Sequence, residues 1–369
     1  MFSTDMLTDT LQQLIGNKTP DKTVLARLIG AQGDEAVQLR SFANDIKQQR
    51  LGNYVYFRGL TEFSNKCSKN CYYCGIRAGN KHVDRYDLSD SDILDAVRFA
   101  HEHKYGSVVL QAGERSDKAF VDRVDGLLRK IKQLSNNELG ITLSLGEQSP
   151  ETFQRWFESG AHRYLLRIES SNKELYYKIH PENDKHSYDK RLKALYDLKD
   201  AGYQVGTGIM IGLPFQTRHD LVDDLLFMQN FDIDMVGMGP YIEHTETPLY
   251  KFKDQLLPLN ERFQMAINMI SLLRILMPDI NIASATALQA IDPMGREKAL
   301  KAGANVIMPN VTPGMYRNSY KLYENKPCTD EEASDCVSCL EMRIGLTGNK
   351  VGYGQWGDSQ HFRQRKGEK

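Results

Sequence analysis

The sequence has no surplus of charge of either sign: 47 Lys and Arg stand against 48 Asp and Glu, a net charge of −1 over 369 residues, with a pI near 6.8. Nothing in that balance points to a nucleic-acid or membrane-surface partner. No apolar run is long enough to span a bilayer. The first residues, Met-Phe-Ser-Thr-Asp-Met-Leu-Thr-Asp, lack the basic-then-apolar layout of a signal peptide, so a cytoplasmic protein is expected. Low-complexity tracts and internal repeats are absent as well. Cysteine is scarce, and none occurs between Cys74 and Cys328. All six fall into two triplets, Cys67/Cys71/Cys74 and Cys328/Cys336/Cys339. In the cytosol, where disulfides are rare, such clusters bind metal or carry redox chemistry.

What is present is enough for a full core. At 41% hydrophobic content the chain can fill one large α/β barrel. The first fifty residues read as amphipathic helices, with Leu7, Leu11 and Leu14 at helical spacing and then Val24, Leu25, Leu28 and Ile29. After them, apolar runs at 54–63, 107–111, 141–145, 164–168, 205–211, 235–242, 281–286 and 304–308 alternate with helical patterns. One such helix, over 89–103, has Ser89 as its N-cap and Ile93, Ala96, Val97 and Ala100 on one face. Another covers 218–229. Eight strand–helix alternations without a long linker predict a complete (β/α)8 barrel over 51–320, preceded by a helical extension (1–50) and followed by a tail (321–369). The tail after Leu346 is polar and Gly-rich and is expected on the surface.

Active sites of such barrels lie at the C-terminal ends of the strands. There this chain places the first cysteine triplet after strand one, Gly113-Glu114 after strand two, Gly146-Glu147 after strand three and Arg167-Ile-Glu169 after strand four. The spacing C-x3-C-x2-C supplies three soft thiolates, one short of a closed zinc or iron–sulfur site, so the centre keeps one open position. Arg167 and Glu169, two apart on a strand, project the same way, and an inward charge pair needs a ligand or mutual pairing. Gly113-Glu114 alone is an ordinary turn sequence. The second triplet reads as an accessory iron–sulfur site, a zinc site or free thiols, away from the catalytic mouth unless the tail folds back. His101, His103, His180 and His186 lie in polar helical segments and are expected on the solvated surface. Met265 and Met269 are expected in the core.

The run Glu-Phe-Ser-Asn-x-Cys-x-Lys-Asn-Cys-x-Tyr-Cys-Gly-x-Arg (62–77), with an aromatic residue before the third cysteine, resembles the opening motif of radical S-adenosylmethionine (SAM) enzymes. More narrowly, it is similar to the HydE family of [FeFe]-hydrogenase maturases, a family close to biotin synthase and methylornithine synthase in fold. So are Leu143-Ser-Leu-Gly-Glu147, Arg163-Tyr-Leu-Leu-Arg167, Gly212-Leu-Pro-x-Gln-Thr217, Leu221-Val-Asp-Asp-Leu-Leu226, Asp234-Met-Val-Gly-x-Gly-Pro240 and Gly303-Ala-Asn-Val-Ile-Met-Pro-Asn310. The resemblance runs from about residue 50 to about 345. It implies Cys67, Cys71 and Cys74 as ligands of a [4Fe–4S] cluster whose fourth iron chelates SAM. Gly113, Glu114, Ser144, Glu169 and Arg191 are implied as SAM contacts. Thr142, Arg167, Met235, Thr286 and Tyr320 are implied as lining the substrate cavity, with Arg167 on an anionic, amino-acid-like carboxylate. Cys328, Cys336 and Cys339 are implied as ligands of an auxiliary [2Fe–2S] cluster, which not all members carry.

The implied function is assembly of the hydrogenase active site. A 5′-deoxyadenosyl radical would act on a cysteine-bound iron complex carrying CO and cyanide, on the way to the two-iron subcluster. Partners implied with it are the tyrosine-cleaving radical SAM maturase, a scaffold GTPase, and ferredoxin or flavodoxin as electron donor. The chain departs from the family at Ile168-Glu169-Ser170 (often His-Glu-Thr), Ala285-Thr286 (Thr-Thr) and Ala112-Gly113-Glu114 (Ser-Gly-Glu). Either the same substrate is held by fewer hydrogen bonds or a related sulfur-containing amino-acid substrate is used. A methylornithine synthase-like mutase is the alternative enzyme and an iron–sulfur carrier the non-enzymatic one. Biotin synthase-like sulfur insertion needs a second cluster inside the barrel, which the cysteine-free interval excludes.

Overall fold

Short β-branched and aromatic runs, buried on both faces, pair in parallel when helical crossovers separate them. In the computed structural model, which describes residues 4–329 and 333–367, these runs become β1 (Tyr54–Ser64), β2 (Ser107–Ala112), β3 (Gly140–Ser144), β4 (Arg163–Leu165), β5 (Gln204–Thr207), β6 (Met210–Ile211), β7 (Met235–Val236), β8 (Gly239–Pro240), β9 (Asn281–Ile282) and β10 (Val306–Ile307). The ladder runs β10-β1-β2-β3-β4-β5-β7-β9, every pairing parallel. It closes on itself. Asn305 N–H donates to Ile282 O at 2.9 Å and Ser284 N–H to Val306 O at 2.8 Å.

The fifth and sixth staves are broken. β5 continues as β6 and β7 as β8, and β6 pairs with β8. The break falls at Gly208, where a Cβ would overlap the carbonyl oxygen of Gly237; the two staves approach too closely there for any side chain. The fourth stave is shorter than expected and ends at Leu165. Beyond it Glu169 adopts a left-handed φ of 65°, which no strand accommodates.

Helices cover the outside. Ser89 and Asp92 form a capping box on Asp90–Glu102, and Thr217 and Asp220 form another on Arg218–Phe231. Ahead of the barrel stand α1 (Thr4–Leu14), α2 (Lys22–Ile29) and α3 (Gly33–Leu51). α3 lies against Leu259–Leu276, and its Arg40 guanidinium reaches Gln264 Oε1 at 2.7 Å and Asn268 Oδ1 at 2.8 Å. Met265 and Met269 on that helix are buried, as expected. Among the described residues no helix is long and apolar enough to cross a membrane.

The tail corrects its expectation. β11 (Lys350–Val351) pairs with β1, and the following Trp356–Ser359 stretch stoppers the lower, N-terminal mouth of the barrel. Arg58 and Arg163 point inward at that end with 4% and 0% exposure, and inward guanidinium groups need acceptors. The tail supplies them. Gly357 O accepts from Arg58 at 3.2 Å and from Asn281 at 2.8 Å, and Asp358 Oδ1 accepts from Arg163 at 2.9 Å and from Gln204 at 2.8 Å.

Candidate active site

At the upper rim the loop after β1 carries Cys67, Cys71 and Cys74, which line a cavity of about 360 Å³. The loop is fastened on several sides. Ser68 N–H donates to Glu114 O at 2.9 Å, Tyr72 N–H to Ile179 O at 3.0 Å and Gly75 N–H to Leu322 O at 3.0 Å. Arg85 gathers four carbonyls, those of Asn65, Ile76, Arg77 and Asn80. Gly113 lies so close beneath that a Cβ there would overlap Lys66 O, and the next amide, Glu114 N–H, donates to Cys67 Sγ at 3.3 Å.

Burial pushes the Cys71 thiol up to about 12, with Cys67 adding to it. Burial likewise raises Cys74, helped by its two sister thiols, and Cys67. Three converging, mutually repelling thiols in a buried loop do not ionise unaided; a polynuclear metal centre ionises its own ligands. Three soft donors on one cavity wall fit a cluster held by three cysteine ligands.

Beside the thiols lies a four-membered charge network. Lys69 Nζ stands 3.0 Å from Glu114 Oε1 and 3.0 Å from Glu147 Oε2, while Arg191 Nε meets Glu147 Oε1 at 2.6 Å and Arg191 Nη2 meets Glu114 Oε2 at 3.5 Å. Across the cavity Arg167 and Glu169 form a forked pair at 2.9 Å and 2.9 Å. Arg167 also donates to Gly237 O and Ile209 O. Burial works against its charge, but Glu169 raises the guanidinium regardless. The inward projection expected from the sequence is thus present, and the pair satisfies itself.

Gly113, Glu114, Ser144, Arg167, Glu169, Arg191, Thr286 and Tyr320 all line this one cavity with the cysteine triplet. Thr142 and Met235 do not. They line a separate, water-sized void below it, together with Arg58 and Asn281, where Met235 Sδ accepts from Arg58 at 3.2 Å and Thr142 Oγ1 from Arg163 at 3.2 Å. Cys328 sits on the main cavity wall, because the tail does fold back. Cys339 is exposed on Ala333–Gly345, and the side chain of Cys336 lies outside the described residues.

His180 and His186 contradict their expected solvated placement, with 1% and 2% exposure. His186 Nε2 accepts the Asn70 amide at 2.8 Å, and Tyr73 Oη sits 3.2 Å from His180 Nε2. Each ring gives its Nδ1 to an oxygen, Tyr176 O and Asn183 Oδ1 respectively, so Nε2 is the acceptor. Burial depresses both, His186 to about 4, which keeps that nitrogen unprotonated. His101 and His103 are only partly buried. Sequence reasoning also missed Glu62 and Lys326, which pair at 2.6 Å inside the cavity. A charged residue in a presumed strand interior (Glu62) was the available signal.

Compared with known proteins, residues 61–228 match the Radical SAM superfamily. The chain is 43% identical over 320 residues to the [FeFe] hydrogenase maturase subunit HydE of Thermotoga maritima, covering 86% of this chain and 88% of that one. It is 28% identical to 3-methylornithine synthase of Methanosarcina acetivorans over 79% of each chain. Among solved structures, methylornithine synthase (PylB) superposes with a TM-score of 0.76 at 23% identity, covering 94% of this chain and 98% of that one. HydG, a maturase of the [FeFe]-hydrogenase, gives a TM-score of 0.78 at 18% identity over 95% and 77%. Both structural likenesses speak to the barrel alone.

Proposed function

The chain belongs to the HydE family of radical SAM enzymes, and from that premise we propose that it builds the two-iron subcluster of [FeFe] hydrogenase from a cysteine-bound iron complex carrying CO and cyanide. The observation that supports this reading is one cavity shared by three thiols, three buried carboxylate–cation sets and an apolar wall. Cys67, Cys71 and Cys74 would hold a [4Fe–4S] cluster, and Gly113, Glu114, Ser144, Glu169 and Arg191 would receive SAM. Bound there, cluster and SAM supply reductive cleavage of the sulfonium to a 5′-deoxyadenosyl radical.

The protein's own part is binding, orientation and exclusion of water. Arg191 holds Glu147 through Nε at 2.6 Å but reaches Glu114 from Nη2 only at 3.5 Å, so its outer nitrogens can turn to a carboxylate. Glu169 spends one lone pair of each oxygen on Arg167 and retains the others for an amino or hydroxyl group. Arg167 has one N–H, on Nη1, beyond its four hydrogen bonds, which would meet the substrate's carboxylate, with Thr286 and Tyr320 beside it. Leu165, Met210, Ile242 and Met308 line the rest and keep water from a reactive radical. Thr142 and Met235 would act from the lower void, behind the first layer.

Cys328, Cys336 and Cys339 we read as ligands of an auxiliary [2Fe–2S] cluster. The proposed partners are the tyrosine-cleaving maturase that makes the substrate, the scaffold GTPase that takes the product, and a ferredoxin or flavodoxin.

The test supplies reconstituted protein with SAM, reductant and the iron–cysteine complex. Formation of 5′-deoxyadenosine that rises with the complex, and is abolished by Cys71→Ser, is expected. Retained 5′-deoxyadenosine formation in the reconstituted Cys71→Ser variant sinks the assignment, and formation of methylornithine without the complex makes the protein a mutase.

A further inference from the structure

Five cationic side chains line the main cavity: Lys69, Arg167, Arg191, Arg296 and Lys326. Four have carboxylate partners within the cavity or directly behind it. Lys69 and Arg191 share Glu114 and Glu147, Arg167 has Glu169, and Lys326 has Glu62. Arg296 has none among the described residues. It is 4% exposed, its Nε has no hydrogen-bond partner, and its Nη2 makes only a 3.6 Å contact to Cys328 Sγ. A buried guanidinium cannot shed its proton, and leaving it unpaired is expensive. A fold that keeps such a group facing a ligand cavity is provisioned for an anion.

Resting on the function proposed above, we propose that Arg296 is a second substrate anchor, one that takes the carboxylate of an amino-acid-like ligand. Arg296 has no carboxylate partner among the described residues, whereas Arg167 is already paired with Glu169. Its neighbourhood suits the role. Tyr323 lines the same cavity and adds a phenol hydroxyl to its wall. Asn310, whose Nδ2 has only a 3.3 Å contact to Glu62, lines the same cavity. A forked guanidinium accepts a carboxylate through two parallel hydrogen bonds, so Arg296 would fix the orientation of the ligand's carboxylate end and leave its sulfur end free.

The experiment titrates cluster-reconstituted, SAM-loaded protein, without reductant, with S-methyl-L-cysteine and with 2-(methylthio)ethylamine, the same skeleton lacking the carboxylate. The wild type is expected to prefer the carboxylate ligand at least tenfold. Arg296→Gln cuts that preference severalfold by weakening S-methyl-L-cysteine alone, leaving only the share held by Arg167, and Arg296→Lys, which keeps the charge without the fork, falls between. Wild-type affinity in Arg296→Gln overturns the proposal and leaves the guanidinium to the Cys328 thiol. A wild type with no preference overturns it as well, and so does a preference lost in Arg167→Gln but kept in Arg296→Gln. Wild-type SAM cleavage is read separately, so a failure of the radical assignment shows as absent 5′-deoxyadenosine and not as altered ligand preference.

Discussion

At the scale of single residues, buried charge decides most of what is unusual about this molecule. Lys47, fully buried, gives its ammonium only Leu300 O and Asn349 Oδ1. Burial, with Arg274 nearby, lowers it from 10.5 to about 7. Between those values the unfolded chain holds a proton that the folded one has released, so stability rises with pH across that window, by at most about 1.4 kcal/mol per pH unit. Urea unfolding at pH 7.5, 8.5 and 9.5 should show this slope in the wild type and a much flatter one in Lys47→Met. An equal slope in both would assign it to another group. Residues of this kind were the least legible in the sequence. The cysteine triplet, Arg167, Glu169 and Arg191 were readable because they stand at strand ends in recurring patterns. His180, His186 and Arg296 were not, because a polar residue in a polar segment carries no mark of the cavity it will face. Lys326 was hidden for the same reason, its burial being set by a strap folding back from outside the barrel.

Secondary-structure elements were legible in kind and order, less so in extent. All eight staves and both helices singled out in the sequence, at Asp90–Glu102 and Arg218–Phe231, form where periodicity and capping residues place them. The broken fifth and sixth staves follow from a backbone contact between Gly208 and Gly237, which no local pattern announces. The tail was misjudged for a related reason: its polar, Gly-rich composition resembles a surface segment, yet its acceptors answer the inward arginines. Burial works against the charge of Asp358, but His162 and Arg163 hold its carboxyl well below the usual range. A carboxyl depressed in this way stabilises above its unfolded pKa, near 4, and loses that contribution as pH falls below it. Asp358→Asn leaves the buried Arg163 unpaired and should cost about 3 kcal/mol, read as a lower Tm whose deficit shrinks in acid. A deficit unchanged between pH 7 and pH 3 would count against the ion pair. Next along the tail, burial opposes charge on His361, but Asp234 and Asp232 raise it above 6.5. A raised histidine stabilises below its unfolded pKa and lets go as pH climbs through the folded one. Amide exchange in Gln360–Lys366 should therefore quicken with pH beyond its intrinsic rate, and His361→Gln should remove the excess.

At the scale of the whole molecule, the N-terminal helices are part of the barrel's wall. Leu39, Ala43 and Ile46 of α3 are buried, and α3 covers the long helix Leu259–Leu276. Deleting residues 1–51 should expose that helix and yield insoluble protein or a broadened unfolding transition. A soluble fragment melting as sharply as the full chain would show the extension to be dispensable. One further consequence follows from the tail packed into the lower mouth by Arg58, Arg163, Asn281 and Gln204. A barrel plugged at one end is a blind alley, so whatever enters past the cysteine loop must leave by the same door. Traffic is then single-file: the converted molecule has to depart before its successor can dock, and product should compete directly with substrate for the empty enzyme.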